Sequence, residues 1–113
     1  MDITVLQKKI SVFAQERDWE SFHTVRNLIF ALVGEVGELA ESVQWLGEID
    51  IEYLAQNPDT LKAISGEVAD VFIYLVRLAD IAKIDLEKVV EEKIVSNALR
   101  YTVEKSKGNA EKQ

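Results

Sequence analysis

Two pairs of acidic residues at one spacing carry the chemistry of this chain: Glu35 with Glu38, and Glu67 with Asp70, each pair three residues apart. Projected at roughly 100° per residue on a helix, Glu35 falls about 20° from the direction shared by Leu28, Leu32, Leu39 and Leu46. A carboxylate therefore sits in an apolar stripe. Glu38 lies about 60° further round, on a flank shared with Asn27 and Trp45. Glu67 repeats the arrangement on a line with Val71, Tyr74 and Leu78, and Asp70 flanks it. Any one of these acids could be a surface residue at the edge of an amphipathic helix, or neutralised by Lys or Arg. As a set they are harder to place, because buried unpaired carboxylates are costly and adjacent ones repel. Two such pairs meeting inside a bundle call for a divalent cation. An oxygen-only ligand set selects a hard ion, Mg²⁺ or else Mn²⁺, over zinc. Iron-binding carboxylate bundles use Glu-x-x-His pairs, and the single histidine, His23, lies outside any such pair.

A second constellation lies near the C-terminus. Lys93, Asn97 and Arg100 fall within about 40° of the direction of Leu86 on a helix, with Tyr101 adjacent. Such a stripe can be a solvated face whose aliphatic stems cover apolar neighbours. Opposite an acidic metal cluster it would instead complement phosphate oxygens, Lys as a point charge and Arg as a two-pronged donor. Acids, metal and cations together suggest a polyphosphate ligand. Trp19 and Trp45 are the two tryptophans, and Trp45 stands roughly 10 Å beyond Glu38 if the helix continues that far. Either indole could stack on a base or simply pack in a core or an interface. His23 and Asn27 are the nearby polar side chains able to read the edge of a base, although His23 could equally do no more than tie down its loop.

The elements that must position these residues read as helices throughout. Strict alternation never persists, and one proline, Pro58, with five glycines gives little punctuation. A first helix runs from an Asp2 cap to about Arg17, with Ile3, Leu6, Ile10, Phe13 and Ala14 as its inward stripe. A loop over Asp18 to His23 follows. The second helix starts at a Thr24 cap and continues to about Trp45, and Asp50 to Gln56 forms a short helical turn capped by Asp50. Asp59 or Thr60 opens the third long helix, which lasts to about Lys83. Asp85 caps the fourth, with Leu86, Val89, Val90 and Ile94 inward, ending near Lys105. The expected fold is an all-α four-helix bundle forming one domain over residues 1–105, with a polar, frayed tail over 106–113.

Bulk properties agree with that reading. The chain of 113 residues holds 13 Lys and Arg against 20 Asp and Glu, a formal charge of -7, which would repel a nucleic-acid backbone. There is no cysteine, so neither a disulfide framework nor a thiolate metal site is available. The longest apolar run, Leu28 to Val33, is six residues, short of a secretory core or a membrane span. These properties predict a soluble protein of the cytoplasm. Phe30, Val33 and Val36 add apolar surface on other faces of the second helix, more than one small core needs, so a homodimer or homotetramer is expected.

The segments FHTVRNLIFALVGEVGELAESVQW (Phe22 to Trp45), GEVADVFIYLVRLAD (Gly66 to Asp80) and KIVSNALRY (Lys93 to Tyr101) resemble the MazG-like all-α nucleoside triphosphate pyrophosphohydrolases. Asp18-Trp19-Glu20 before Phe22-His23, and Gln44-Trp45 after the acidic motif, are most similar to the deoxycytidine triphosphate (dCTP) pyrophosphatase branch. The resemblance implies hydrolysis between the α and β phosphates of a nucleoside triphosphate, giving a monophosphate and pyrophosphate, by a dimer or dimer of dimers. It implies that Glu35, Glu38, Glu67 and Asp70 hold Mg²⁺ and that one of them positions or deprotonates the attacking water. By the same resemblance Lys93, Asn97, Arg100 and Tyr101 bind phosphate, Trp19 and Trp45 border the base, and Tyr74 lies near the sugar. Many relatives follow the terminal Tyr with Pro, where this chain has Thr102. Competing readings keep the fold but change the nucleotide to deoxyuridine triphosphate, a purine triphosphate or phosphoribosyl-ATP. A different class altogether would be a helical dimerisation module with solvated acids and no metal.

Overall fold

The computed structural model describes residues 1–108 and is helical, with no strand among them. Its elements are α1 (Ile3–Glu16), a 3₁₀ turn (Glu20–Phe22), α2 (Val25–Glu41), α3 (Ile51–Gln56), α4 (Pro58–Ile81), α5 (Leu86–Arg100) and α6 (Val103–Ser106). They divide into two compact units, residues 1–82 and 83–113.

Within the first unit, short polar side chains set the helix starts by accepting from backbone N–H groups that have no partner inside the helix. Asp2 Oδ1 accepts from Val5 N at 3.2 Å and Thr24 Oγ1 from Asn27 N at 3.1 Å. Asp50 Oδ1 accepts from Tyr53 N at 2.8 Å. α1 stops where Asp18 adopts a left-handed φ of 54°, turning the chain so that Trp19 N reaches back to Ala14 O at 2.9 Å. That turn aims Trp19 at the bundle. α4 begins at Pro58, just ahead of the expected Asp59 or Thr60, because proline lacks only an N–H that the first helical position leaves unpaired anyway. It ends before Lys83, whose φ is 60°.

α2 is shorter than its apolar pattern predicts, ending at Glu41 and not near Trp45. Ser42 Oγ donates to Leu39 O at 2.6 Å, and tighter turns follow, with Val43 N on Ala40 O and Leu46 N on Val43 O. Leu46 thereby leaves the stripe of Leu28, Leu32 and Leu39 and is exposed. α4 is the central element: α2, α1 and α3 all pack against it. Ala14, Leu28, Val76 and Ala79 form the fully buried core. Phe13, expected inward, is half exposed at the edge of a cavity near the acidic residues.

In the second unit Asp85 Oδ1 caps α5 by accepting from Lys88 N at 3.2 Å. α5 ends at Arg100, not near Lys105: Thr102 Oγ1 accepts from Lys105 N at 3.4 Å and so opens the separate turn α6. As a cap, Thr102 starts a new helical segment. Leu86 is half-buried, but Val89, Val90 and Ile94 are exposed, contrary to the inward expectation. An amphipathic stripe specifies a face to be covered, not the surface that covers it. Of the expected frayed tail, residues 109–113 lie outside the described residues. No described helix is long and apolar enough to cross a membrane.

Candidate active site

The packing of α2 on α4 brings the two acidic spacings together. Glu35 and Glu38, one turn apart on α2, meet Glu67 of α4, and one carboxylate oxygen from each lies within 4.8 Å of the others. Both Glu35 Oε2 and Glu67 Oε2 are inaccessible to solvent and have no hydrogen-bond partner, although the residues themselves are only half-buried. Natural structures seldom leave a buried carboxylate oxygen without a donor, since desolvation then goes uncompensated. Burial first, then the charges of Glu38 and Asp70 and a proton shared with Glu38, raises the Glu35 carboxyl above its ordinary range. Glu67 is raised in the same way, by burial and then by Glu38 and Asp70. Asp70 stands beside the three-acid cluster. It is exposed, its charge acts on both Glu35 and Glu67, and it lines a cavity with Glu35.

These features fit a divalent cation. A cation would supply the missing partner of both orphaned oxygens and cancel the repulsion within the cluster. The donor set is all oxygen, without His or Cys, which suits a hard ion.

Next to the acids lies a cavity of about 260 Å³ with a largely apolar wall that includes Ile10, Phe13 and Ile73. Its other lining residues include Trp19, His23, Tyr74, Arg77 and two of the acids, Glu35 and Asp70. Trp19 meets Phe13 edge to face at 5.7 Å between ring centroids and stands 6.2 Å from His23. The Arg17 guanidinium covers the Phe13 ring at 3.6 Å, so the wall is braced from outside. A second, more open cavity of about 390 Å³ shares Trp19, His23 and Tyr74 and adds Phe22 and Asn27. Asn27 Nδ2 donates to Phe22 O at 3.1 Å, tying the start of α2 to the aromatic loop.

Of the residues expected at a base or sugar, Trp19, His23, Asn27 and Tyr74 thus gather around these two cavities. Trp45 does not. It is 88% exposed and lines neither cavity, because α2 ends before the projection that aligned it with Glu38 can hold. The expected phosphate residues belong to the second unit. Lys93, Asn97 and Arg100 are exposed on α5, and the Arg100 guanidinium carbon stands 5.3 Å from the Tyr101 ring centroid. Tyr101 N donates to Asn97 O at 2.7 Å.

Sequence reasoning missed Arg77. It is 4% exposed, lines the first cavity, donates from Nε to His23 Nδ1 at 3.1 Å and stands 3.6 Å from Asp80 through a terminal nitrogen. The signal was present: a lone cation inside the apolar run Val71 to Ala79, two turns beyond Asp70 and about 20° from it in projection. Phe13 and Phe22 were likewise unassigned to the site, since nothing in a helical stripe or loop composition distinguishes a cavity wall from a core.

An all-helical fold presenting clustered carboxylates on adjacent helices defines a recognisable class. Residues 32–113 match the MazG-like family, and the chain belongs to it. Among particular proteins, the chain is 49% identical over 98 residues to dCTP pyrophosphatase 1 of Rattus norvegicus, a match covering 87% of this chain and 58% of that one. It is 44% identical over 100 residues to dCTP pyrophosphatase 1 of Homo sapiens, covering 88% and 59% respectively. The chain thus spans less than two thirds of the length of these curated relatives. A solved structure of a pyrophosphatase from Archaeoglobus fulgidus superposes with a TM-score of 0.77 at 33% identity, covering 88% of this chain and 91% of that one.

Proposed function

We propose that this protein is a Mg²⁺-dependent pyrophosphohydrolase that converts a nucleoside triphosphate, preferentially dCTP, into the monophosphate and pyrophosphate. The observation that carries the reading is the juxtaposition within one helical unit of three converging carboxylates and an aromatic-walled cavity. Acids of that kind suit a cation and its phosphates, and the adjacent apolar slot suits a planar base. The names of the relatives and of the structural neighbour support the same chemistry.

In this reading Glu35, Glu38, Glu67 and Asp70 hold Mg²⁺, with Mn²⁺ as an alternative. The bound ion supplies charge neutralisation on the polyphosphate and lowers the pKa of a water molecule. One of the clustered carboxylates orients or deprotonates the attacking water, since helix packing holds these side chains in place and little reorganisation is needed. Lys93, Asn97, Arg100 and Tyr101, which fit the family's phosphate motif, bind the triphosphate and cover charge developing on the departing pyrophosphate. Trp19 supplies a face for the base, His23 and Asn27 its polar contacts, and Tyr74 borders the sugar. Trp45, in the dCTP-like reading, closes on the base from outside the cavity.

The working form is a homodimer or homotetramer. Phe30 at 60% and Val33 at 62% exposure, with Val36 beside them on α2, leave apolar surface of the kind that a second copy covers. In this reading the protein works in the cytoplasm in maintenance of the nucleotide pool, and its net charge of -7 argues against a nucleic-acid partner. The test is a panel of nucleotides in which pyrophosphate and orthophosphate release are resolved. The reading expects pyrophosphate, with dCTP best or near-best. Purine triphosphates turned over with at least about tenfold higher kcat/KM would reject the base assignment.

A further inference from the structure

Arg77 is buried near the C-terminal end of α4, and the acidic site does not account for it. A guanidinium removed from water needs partners, and carboxylates are its usual ones. Its contact with Asp80 is long, 3.6 Å, and made to a neighbour on its own helix. Its directed hydrogen bond goes instead to an imidazole 54 residues away, from Nε to His23 Nδ1 at 3.1 Å. Arginine cannot accept a hydrogen bond, so this geometry requires a lone pair on Nδ1 and puts the imidazole proton on Nε2. A proton on Nδ1 would set two N–H groups against each other. His23 closes the 3₁₀ turn that follows Trp19 and lines both cavities shared by Trp19 and Tyr74. With Nδ1 engaged, Nε2–H is the one polar group the ring has left for a ligand.

We propose that Arg77 is a positioning residue: it fixes His23 as the neutral Nε2–H tautomer, so that the cavity reads the nucleobase through an acceptor atom on the ring. Cytosine offers such an acceptor at N3, where thymine and uracil carry N3–H and would oppose a fixed donor. Stacking on Trp19 tolerates every base, so the fixed donor supplies discrimination that stacking lacks. Burial, and then the Arg77 charge, lowers the His23 pKa, in keeping with a neutral ring. The inference rests on the nucleotide reading above for its second half, whereas the tautomer is a property of the protein alone.

Imidazole ¹⁵N correlation spectra of the full chain without nucleotide test the first half. The parent should show one His23 tautomer, with the proton on Nε2, and Arg77→Met should show a mixture. An Nδ1–H ring or a mixture in the parent overturns the proposal, whether or not any variant folds. Kinetics with dCTP and thymidine triphosphate test the second half. Losing one neutral-acceptor hydrogen bond predicts that Arg77→Met lowers the preference for dCTP over thymidine triphosphate by about tenfold, mainly through KM. Arg77→Lys, which retains a donor, should recover part of that preference. His23→Phe should show the same loss, and the double variant no further loss. Unchanged discrimination in a folded Arg77→Met variant overturns the role in base reading. A chain that turns over no triphosphate at all overturns the nucleotide reading and this second half together, while the spectra still decide the first.

Discussion

Replacing Glu35 by glutamine separates a metal-binding carboxylate from an ordinary helix-edge acid, because the two make opposite predictions. In the metal-free chain, Glu35 Oε2 is buried without a partner and the carboxyl resists ionisation. Leaving such a group unsatisfied costs about 1–3 kcal/mol, and since the residue is only half-buried the lower end, about 1 kcal/mol, applies. Glutamine in its place keeps the shape, removes the charge repelled by Glu38 and Asp70, and offers amide protons to those neighbours. The metal-free Glu35→Gln variant should therefore melt about 4 °C higher than the parent. In the presence of metal the order reverses. A cation at about one hundred times its dissociation constant stabilises the parent by roughly 2.7 kcal/mol, about 10 °C for a domain of this size. The variant has lost one of three converging oxygen ligands and should show less than half of that shift. Thermal unfolding followed by circular dichroism, with chelator and then with millimolar Mg²⁺, reads both numbers. A variant that is less stable than the parent in chelator, or one whose metal-induced shift equals the parent's, would refute the reasoning.

The pH dependence of the metal-free chain follows from the same acids. Glu35 and Glu67 hold protons more tightly in the folded state, so from the ordinary glutamate value of about 4.3 upward the native state binds more protons and stability falls as pH rises through their raised values. The melting temperature in chelator should climb as pH is lowered from neutral into that window, and a flat profile would count against the cluster. Lys93→Ala and Arg100→Ala should each lower kcat/KM for triphosphates by at least about tenfold, as charged hydrogen bonds to phosphate do, and parent-like kinetics would leave α5 a structural stripe. Sedimentation should find a dimer or tetramer at micromolar concentration. Replacing Phe30 and Val33 by Ser should shift the distribution toward the 12.8 kDa monomer, and a parent chain that already sediments as a monomer would remove the assembly from the account.

The acids were legible because helical projection is reliable where a helix is long and continuous: Glu35 and Glu67 fall in apolar stripes and do come together between α2 and α4. Helix caps were legible for a similar reason, since Asp2, Thr24, Asp50 and Asp85 each satisfy a local orphan donor through a side chain in sequence proximity. Projection misled where a helix ended early. Trp45 and Leu46 were placed by extending α2 past Ser42, and a hydroxyl that turns back on Leu39 O has no distinctive signature among apolar neighbours. The inward stripe of α5 was misread for another reason: Val89, Val90 and Ile94 share a face, but periodicity does not say whether the same chain covers it. Arg77 escaped because its hydrogen bond reaches far along the chain. Its partner His23 lies in a separate loop, and no one-dimensional spacing links the two.

The carboxylate cluster and the cavity beside it are proposed to form one metal-dependent pyrophosphohydrolase site. Incubating the purified chain with dCTP and Mg²⁺, and quantifying the products with and without chelator and in the Glu38→Gln variant, tests it most directly. One pyrophosphate should appear for every monophosphate formed, chelation should abolish activity, and Glu38→Gln should lose at least about a hundredfold, within the range for removing a group that acts on the transition state. Orthophosphate as the product, or pyrophosphate release that survives chelation and Glu38→Gln unchanged, would contradict it.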